Sequence, residues 1–351
     1  MATTTLTIDN ELLSATSIEA AKEARDLRHV VTPFLAEQAR VHGEGQPSKS
    51  SGHKWIGAFQ TGNHSAPTKR QTGYEQMNLS FSGVLEPIVY TPAEVSYPIG
   101  ISAVEEDLNG GDLQTIELAS RRAKAVMSKA KRDFEEHILC GSVSQYDDWF
   151  TLEGSINADG FLEAAAPANQ DSVIGGFSKA TNSALPGATN QFFDVASSFN
   201  SSGLTGIYRT IIAAKARALD DLNGLTVIMS EKAMENYKRT LQANERYMIM
   251  DGNDSIDGAN MNLMISGLPA NVSTFLGNYT TSGKRHSIYL LDLNAIYACW
   301  SKVIRDGYFS MSDFANVGNG YNVRVAEVLV RGQLWSEGFA SSAVIADAEI
   351  F

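Results

Sequence analysis

Residues 112–141 read DLQTIELASRRAKAVMSKAKRDFEEHILCG and form the strongest helical pattern in the chain. Apolar or small residues recur every three or four positions, which places them on one stripe of a helix. Asp112 suits a helix start, and Gly141 stands where a glycine commonly follows a helix end. The pattern predicts one helix over about 112–140, about 42 Å long. Its core residues are expected to be Ile116, Ala123, Met127, Phe134 and Ile138.

The remaining faces of this helix hold its charged residues, which we expect to face solvent. His137 is expected to be solvated or at an interface, since acids precede it. The charged residues are Arg121, Arg122, Lys124, Lys129, Lys131, Arg132, Asp133, Glu135 and Glu136.

Upstream of the helix, residues 53 to about 90 alternate between polar and apolar positions, as in Asn78–Leu85. A period of two predicts strands. Residues 61–73 between them are polar and rich in turn formers, so the region is expected to be a long hairpin with a mobile tip. Pro87, Pro92 and Pro98 favour edge strands in the extended segment that follows.

Residues 1–52 are expected to form an extended arm rather than a domain. A helix-compatible stretch runs from Ser17 to Arg40 and is broken at Pro33, and residues 42–52 have the composition of a linker. We expect removal of residues 1–40 to impair assembly but to leave the core of the subunit folded.

Downstream, residues 142–206 are rich in Gly, Ser, Asn and Ala and are expected to be loops. A buried strand at 225–229 lies between predicted helices at 207–222 and 230–243, which indicates an α/β or α+β layer. Further strands are predicted at 262–265, 287–291, 295–300 and 322–331.

Composition excludes several classes. The 351 residues are 43% hydrophobic and have a net charge of −12, so the chain folds, and no segregated basic face is evident that would favour a nucleic-acid binder. Cys140 and Cys299 are far apart and are expected to be buried thiols rather than a disulfide or zinc site. No leader and no apolar run of membrane-spanning length are found, which indicates a cytoplasmic protein without a membrane partner.

Motifs for chemistry are weak. Residues 277–285 resemble a phosphate-binding loop, but the glycine spacing is wrong and Arg285 replaces the magnesium-binding hydroxyl. Residues 251–258 resemble a calcium loop but lack the glycine at position six and the carboxylate at position twelve, so an acidic turn is favoured over a metal site. No GxSxG or HExxH occurs. We therefore predict no catalytic residue, no cofactor and no metal.

Several segments in order resemble one family. Residues 99–108, the helix through Phe134–Gly141, residues 264–273, 287–296, 303–310 and the strand at 322–331 are similar to the major capsid protein of tailed bacteriophages. The resemblance implies an α+β chain with the Hong Kong 97-like fold. It assigns 1–52 to the N-terminal arm, 53–92 to the E-loop hairpin, 93–144 to a peripheral domain with the spine helix, 145–297 to an axial α/β domain, 298–338 to peripheral-domain strands and 339–351 to a tail that returns to the axial domain.

The resemblance also implies the function: hexamers and pentamers that form an icosahedral head around double-stranded DNA, in the virion, assembled in the cytoplasm of a bacterial host. Implied partners are a portal, a separate scaffolding protein and a decoration protein, with weak or no specific contact to the DNA. By analogy, Lys54 or Lys69 could crosslink to Asn316, Asn319 or Asn322.

An extended hairpin buries little within one subunit, so its apolar residues need a neighbouring copy. The expected intersubunit contacts are Trp55, Ile56, Phe59, Lys69, Arg70, Leu79 and Phe81.

Three alternatives stay open from the sequence. An encapsulin shell would share the fold and enclose cargo enzymes. A soluble α/β enzyme with a lid hairpin would need a nucleophile or metal set that is not evident. A phage tail or fibre subunit is disfavoured by the long helix and the α/β layer.

Overall fold

The structure is a computed structural model that describes residues 31–43, 46–49, 52–62, 83–108, 112–154, 160–195, 199, 201–218, 222–240, 263–276, 280–281, 284–302, 307–318 and 321–349. The α-helices among them are α1 (Pro33–His42), α2 (Ala103–Leu108), α3 (Asp112–Cys140), α4 (Ser201–Lys215) and α5 (Glu231–Thr240).

The strands are β1 (Ser48–Lys49), β2 (Trp55–Gln60), β3 (Leu85–Tyr90), β4 (Ala93–Ser102), β5 (Val173–Ile174), β6 (Phe177–Ser178), β7 (Gln191–Asp194), β8 (Leu225–Ser230), β9 (Leu263–Ile265), β10 (Leu268–Ser273), β11 (Thr280–Thr281), β12 (Lys284–Asp292), β13 (Ile296–Ser301), β14 (Ser310–Met311), β15 (Ala315–Gly318), β16 (Tyr321–Ser336) and β17 (Ala343–Ala346). The strands predicted near 262, 287, 295 and 322 are confirmed, with longer bounds for β12 and β16.

The spine helix α3 runs over the predicted 29 residues. It ends at Gly141, which has φ 64° and donates its N–H to the carbonyl of His137 at 2.7 Å. This left-handed conformation favours glycine, so the predicted helix end is confirmed.

The first sheet has six strands, and β16 lies at its centre. β4 pairs with it antiparallel along ten residues, from Ala93 opposite Gly332 to Ser102 opposite Val323. β13, β14 and β15 also pair with β16, and β1 pairs parallel with β13. Within the described residues β4 has β16 as its only strand partner, so the edge position that Pro98 favours is confirmed.

The second sheet has seven strands in the order β7-β17-β12-β8-β10-β9, with β11 paired to β12. The late strand β17 inserts between β7 and β12, so the end of the chain returns to this sheet. Every residue of β8 is buried, as predicted for Leu225–Met229.

Each face of the second sheet belongs to a different core. Val227 and Met229 of β8 pack with α4 and α5, whereas Ile228 packs in a larger cluster that includes Phe134 and Ile138 of α3. Adjacent strand residues point to opposite faces, so one strand serves both cores. The larger cluster joins the spine helix, both sheets and the hairpin.

Pro33 begins α1, because its missing N–H and fixed φ suit the first helical position, and the residues before position 31 lie outside the described part. The helix predicted at 207–222 has other bounds and ends at Lys215. α4 begins six residues before Ile207 and includes Gly206, where a Cβ atom would lie 2.1 Å from the ring of Phe193. The regular spacing of apolar residues begins only at Ile207, after this close contact, so the predicted start of the helix lies six residues downstream of the observed one.

His137 was expected to be solvated, and this is wrong. Its side chain is fully buried, with its ring centroid 5.7 Å from that of Tyr146, and burial lowers its pKa. The residues after α3 fold back over this position, since Leu152 donates its N–H to the carbonyl of Ile138 at 2.8 Å. This loop-rich stretch is therefore part of the core.

We expect Phe134→Ala to lower the free energy of unfolding by about 3–5 kcal/mol, because it leaves a cavity in the fully buried aromatic cluster. Phe134 lies 5.1 Å from Trp149 and 5.2 Å from Trp300 between ring centroids, so tryptophan fluorescence during urea unfolding reports the change. The control Leu222→Ala, at an exposed side chain, should change stability by about 0.5 kcal/mol or less. Equal changes in the free energy of unfolding for the two variants would contradict the burial of Phe134 in the aromatic cluster.

Candidate assembly surface

The root of the hairpin is a two-stranded antiparallel sheet, β2 with β3. Its register runs from Trp55 opposite Tyr90 to Gln60 opposite Leu85. Alternate residues therefore lie on two faces. We call the face with Trp55, Gly57, Phe59, Glu86, Ile88 and Tyr90 the inner hairpin face and the face with Ile56, Ala58, Gln60, Leu85, Pro87 and Val89 the outer hairpin face.

The inner face is fixed to the first sheet. The ring of Tyr90 lies 4.3 Å from that of Trp335, and its hydroxyl donates to the carbonyl of Ser336 at 3.2 Å. Tyr90 is fully buried, and burial raises its pKa. Its cross-strand neighbour Trp55 is 4% exposed, so this end of the hairpin is part of the subunit core.

The inner face is also fixed to the turn between β5 and β6. Phe59 makes edge contacts with Phe177 at 4.9 Å and Phe339 at 5.8 Å between ring centroids. Val89 donates its N–H to the carbonyl of Gly175 at 2.9 Å. The described root of the hairpin is thus held by contacts on both of its strands.

Packing loosens toward the far end of β2. A cavity of about 330 Å³ lies there, lined by Phe59, Phe177, Leu185 and Phe339 together with polar residues such as Arg217 and Glu337. The continuous core therefore ends near Gln60.

The outer face is apolar and exposed. Ile56 is 69% exposed and Leu85 is 66% exposed, and Ala58 and Pro87 are also exposed. Cross-strand pairs on this face are Ile56 with Val89 and Ala58 with Pro87. A row of exposed apolar pairs on a rigid sheet marks an interaction surface better than scattered apolar residues do.

A second feature of the surface is the docked N-terminal helix α1. Its first turn has no side-chain cap from Thr32. Instead, the carboxylate of Glu135 on α3 accepts hydrogen bonds from the N–H groups of Phe34 at 2.6 Å and Leu35 at 3.1 Å. Glu135 was expected among the residues that face solvent, and this is wrong, because it is fully buried beneath the start of α1.

Burial raises the pKa of Glu135 to about 8, although the two N–H donors act to lower it. The carboxyl therefore prefers to hold a proton while α1 is docked.

α1 also connects the two sheets. The side chain of Gln38 donates to the carbonyl of Ala298 in β13 at 2.8 Å and accepts from its N–H at 3.0 Å. Asn271 of β10 donates to Glu37 at 2.9 Å. That the core stays folded after removal of residues 1–40 remains a prediction; the contacts of 33–40 with both sheets count against it, and residues 1–30 lie outside the described part.

The segment after α1 continues along the first sheet. The backbone N–H of Trp300 donates to the carbonyl of Pro47 at 2.9 Å. The ammonium of Lys49 lies 3.1 Å from a ring centroid of Trp335. A cation over an indole face is favourable. The arm therefore reaches the root of the hairpin at Trp335.

The described residues contain no group of three or more His, Cys, Asp or Glu side chains arranged to hold a metal ion. The acidic segment 251–258 lies outside the described residues, as does most of 277–285. Both cysteines are buried and free. Among the helices searched, none combines the length and apolar character needed to cross a membrane.

No protein-family model and no curated protein matches the chain. Solved structures do match over nearly its whole length. The capsid asymmetric unit of cyanophage A-1(L) has a TM-score of 0.62 at 13% identity and covers 96% of this chain and 99% of its own. The capsid of a native GTA particle has a TM-score of 0.55 at 12% identity, with coverages of 94% and 98%.

The chain has the Hong Kong 97-like capsid fold. The SrpI encapsulin of Synechococcus elongatus PCC 7942 shares it, with a TM-score of 0.54 at 11% identity, covering 98% of this chain and 95% of its own. The fold expected from the sequence is therefore confirmed.

The predicted contact residues have different positions in this capsid fold. Trp55 was expected to need a neighbouring copy, but it is 4% exposed within the subunit and leaves little surface for one. Phe59 is partly buried against the β5–β6 turn, and its contact with a neighbouring copy stays a prediction. Ile56 is exposed on the outer hairpin face. Lys69, Arg70, Leu79 and Phe81 lie outside the described residues.

Of the predicted spine core, Phe134 and Ile138 are fully buried, and Ala123 and Met127 are half-buried against the same cluster. The side chain of Ile116 lies outside the described part. Sequence analysis missed Leu85 and Pro87 as outward partners of Ile56, although their alternation with Glu86 and Ile88 was a usable signal.

We expect α1 to undock as the pH rises through about 8. The pKa of Glu135 is raised from its ordinary 4.5 to about 8 in the folded chain, so its contribution is complete below about pH 4.5 and is lost as the pH rises through 8. Hydrogen exchange at the amides of Phe34 and Leu35, measured from about pH 6 to 9 after correction for intrinsic rates, tests this.

Glu135→Gln is the matched control, because it keeps an acceptor but does not titrate. Its α1 should dock more weakly than in the unaltered protein at low pH, because only one oxygen remains to accept, but with no dependence on pH in this range. Glu135→Ala should also be independent of pH, and it should weaken docking by about 1–3 kcal/mol at low pH, because both buried N–H groups lose their acceptor. The same pH dependence in Glu135→Gln as in the unaltered protein would rule out Glu135 as its source.

Proposed function

We propose that the protein is the major capsid protein of a tailed bacteriophage, which assembles as hexamers and pentamers into an icosahedral head around double-stranded DNA. The outer hairpin face is the observation that supports this most directly. A subunit with the fold of a capsid shell presents rigid, exposed apolar pairs on a projecting hairpin, and such pairs favour burial by another subunit. No catalytic role is part of the proposal.

The domain division is part of this proposal, with one change. Ile296 and Tyr297 pair with β16 in the first sheet, so they belong with the peripheral strands rather than with the axial domain. Assembly in a bacterial cytoplasm, and help from a portal, a scaffolding protein and a decoration protein, also belong to the proposal. Lys54 and Asn322 are exposed, as a crosslink would require, and the crosslink stays a prediction.

An encapsulin shell is the second candidate, because the SrpI encapsulin also matches the chain over nearly its full length. The two candidates differ in what the particle contains. Particles purified from the native source should contain DNA in the first case and an enzyme in the second.

Negative-stain electron microscopy of the purified protein, with sizing by light scattering, is the direct test. We expect closed shells or rings of five and six subunits. A strictly monomeric species under all conditions, including co-expression with neighbouring genes, would contradict the proposal.

We expect Ile56→Asp to prevent shell formation while the subunit stays folded, because a carboxylate would be buried without a partner in the intersubunit contact. Electron microscopy measures assembly, and circular dichroism measures folding. Ile212→Asp is the matched control, since Ile212 is equally exposed, at 68%, but belongs to α4 rather than to the hairpin. An equal loss of shells in both variants would contradict the prediction that the outer hairpin face is an intersubunit contact.

A further inference from the structure

The outward face of α3 is strongly basic in its middle part. The twelve residues 121–132 contain six of the 28 bases of the chain and no acid. Lys124 and Lys129 are exposed, whereas Ala130 is buried and Met127 is half-buried against the core. No segregated basic face was expected from the sequence, and this is wrong for α3, because six bases without an acid follow one another here and Lys124 and Lys129 are exposed.

One of the six bases has a structural role. Arg122 donates to Glu105 of α2 and to the carbonyl of Gly100, each at 3.0 Å, and so fixes α2 and the end of β4 to the spine helix. The basic strip, as we define it, consists of the other five: Arg121, Lys124, Lys129, Lys131 and Arg132. It extends over about 16 Å at 1.5 Å per residue.

Apart from Glu105, two described acids lie close to the strip, both at its C-terminal end. Asp133 lies 3.5 Å from Arg132 and accepts from the hydroxyl of Tyr97 at 3.3 Å. Glu136, one turn further, accepts from Ser142 at 3.1 Å. The part around Lys124 and Lys129 therefore has the highest local positive charge.

The chemistry of this face indicates its partner. Small side chains, Ser120 and Ala125, are exposed among the bases. Within the described residues, none of the exposed large apolar side chains lies between 119 and 132. Protein interfaces need an apolar core, often aromatic, which this face lacks. A basic helix face with small side chains between its charges is instead suited to the phosphate backbone of a nucleic acid.

We propose that the basic strip binds the phosphate backbone of double-stranded DNA without reading its sequence. The choice of DNA rests on the proposed function, which places DNA inside the shell. The strip is then an attractive contact on an otherwise acidic protein, and it holds the outermost DNA against the spine helix.

The test measures binding of a fluorescent duplex of about 30 base pairs to the unassembled full-length protein, at salt concentrations from about 50 to 200 mM. The logarithm of the binding constant should fall linearly with the logarithm of the salt concentration. In the triple variant Lys124→Gln, Lys129→Gln and Arg132→Gln, the slope should decrease by about 0.9 for each lost phosphate contact, or about 2.7 in all.

The control is Lys232→Gln, Lys238→Gln and Arg239→Gln on α5. It removes the same charges from three exposed positions on another helix. Its salt slope should match that of the unaltered protein. Equal slopes in the two triple variants, or no DNA binding at about 50 mM salt, would overturn the proposal.

Two further outcomes assign the strip to another partner and also overturn the proposal. Loss of shells in the strip variant with unchanged DNA binding would make the strip a contact between copies. Tighter binding of polyglutamate than of DNA would indicate an acidic protein segment. Failure of the unaltered protein to form shells would count against the proposed function alone, since the DNA measurement uses unassembled protein.

Discussion

The buried carboxyl of Glu135 determines how the N-terminal segment joins the rest of the subunit. The N–H groups at the start of a helix need acceptors, and Thr32 supplies none from its side chain. Glu135 supplies two, from a position 100 residues away. Neither partner is satisfied alone, because a buried acid without donors and a buried helix end without acceptors are both costly. This pair of hydrogen bonds therefore satisfies the start of α1, while Phe34 and Leu35 are buried in the main core.

This bond pair has consequences for both sheets. Once α1 is held on the spine helix, Gln38 reaches β13 and Glu37 reaches β10, so the same helix contacts both sheets. The hairpin is attached differently, mainly through aromatic contacts on its inner face, with hydrogen bonds from Tyr90 and Val89 beside them. The subunit thus separates two tasks: polar contacts hold the arm to the body, and a two-sided hairpin directs its apolar outer face away from the body.

Sequence patterns predicted those helices and strands in which the spacing of apolar residues along the element itself decides which side chains are buried. The spine helix, the fully buried β8 and the hairpin strands all follow regular spacing. The same reasoning failed at Glu135, His137 and Trp55, because each is covered by an element distant in the chain. Glu135 lies among other charged residues, so the spacing of apolar residues on α3 does not indicate that another helix will cover it. The start at Pro33 was equally ambiguous, since one proline can end a helix or begin it.

Local charge matters more than net charge on such a subunit. At physiological salt the screening length is about 8 Å, which is shorter than the basic strip of about 16 Å. A phosphate beside Lys124 and Lys129 is therefore influenced mainly by those ammonium groups and little by the acids that give the chain its charge of −12. A net acidic subunit can therefore carry one attractive strip on its surface. Such a surface would hold DNA at defined positions and leave it mobile between them.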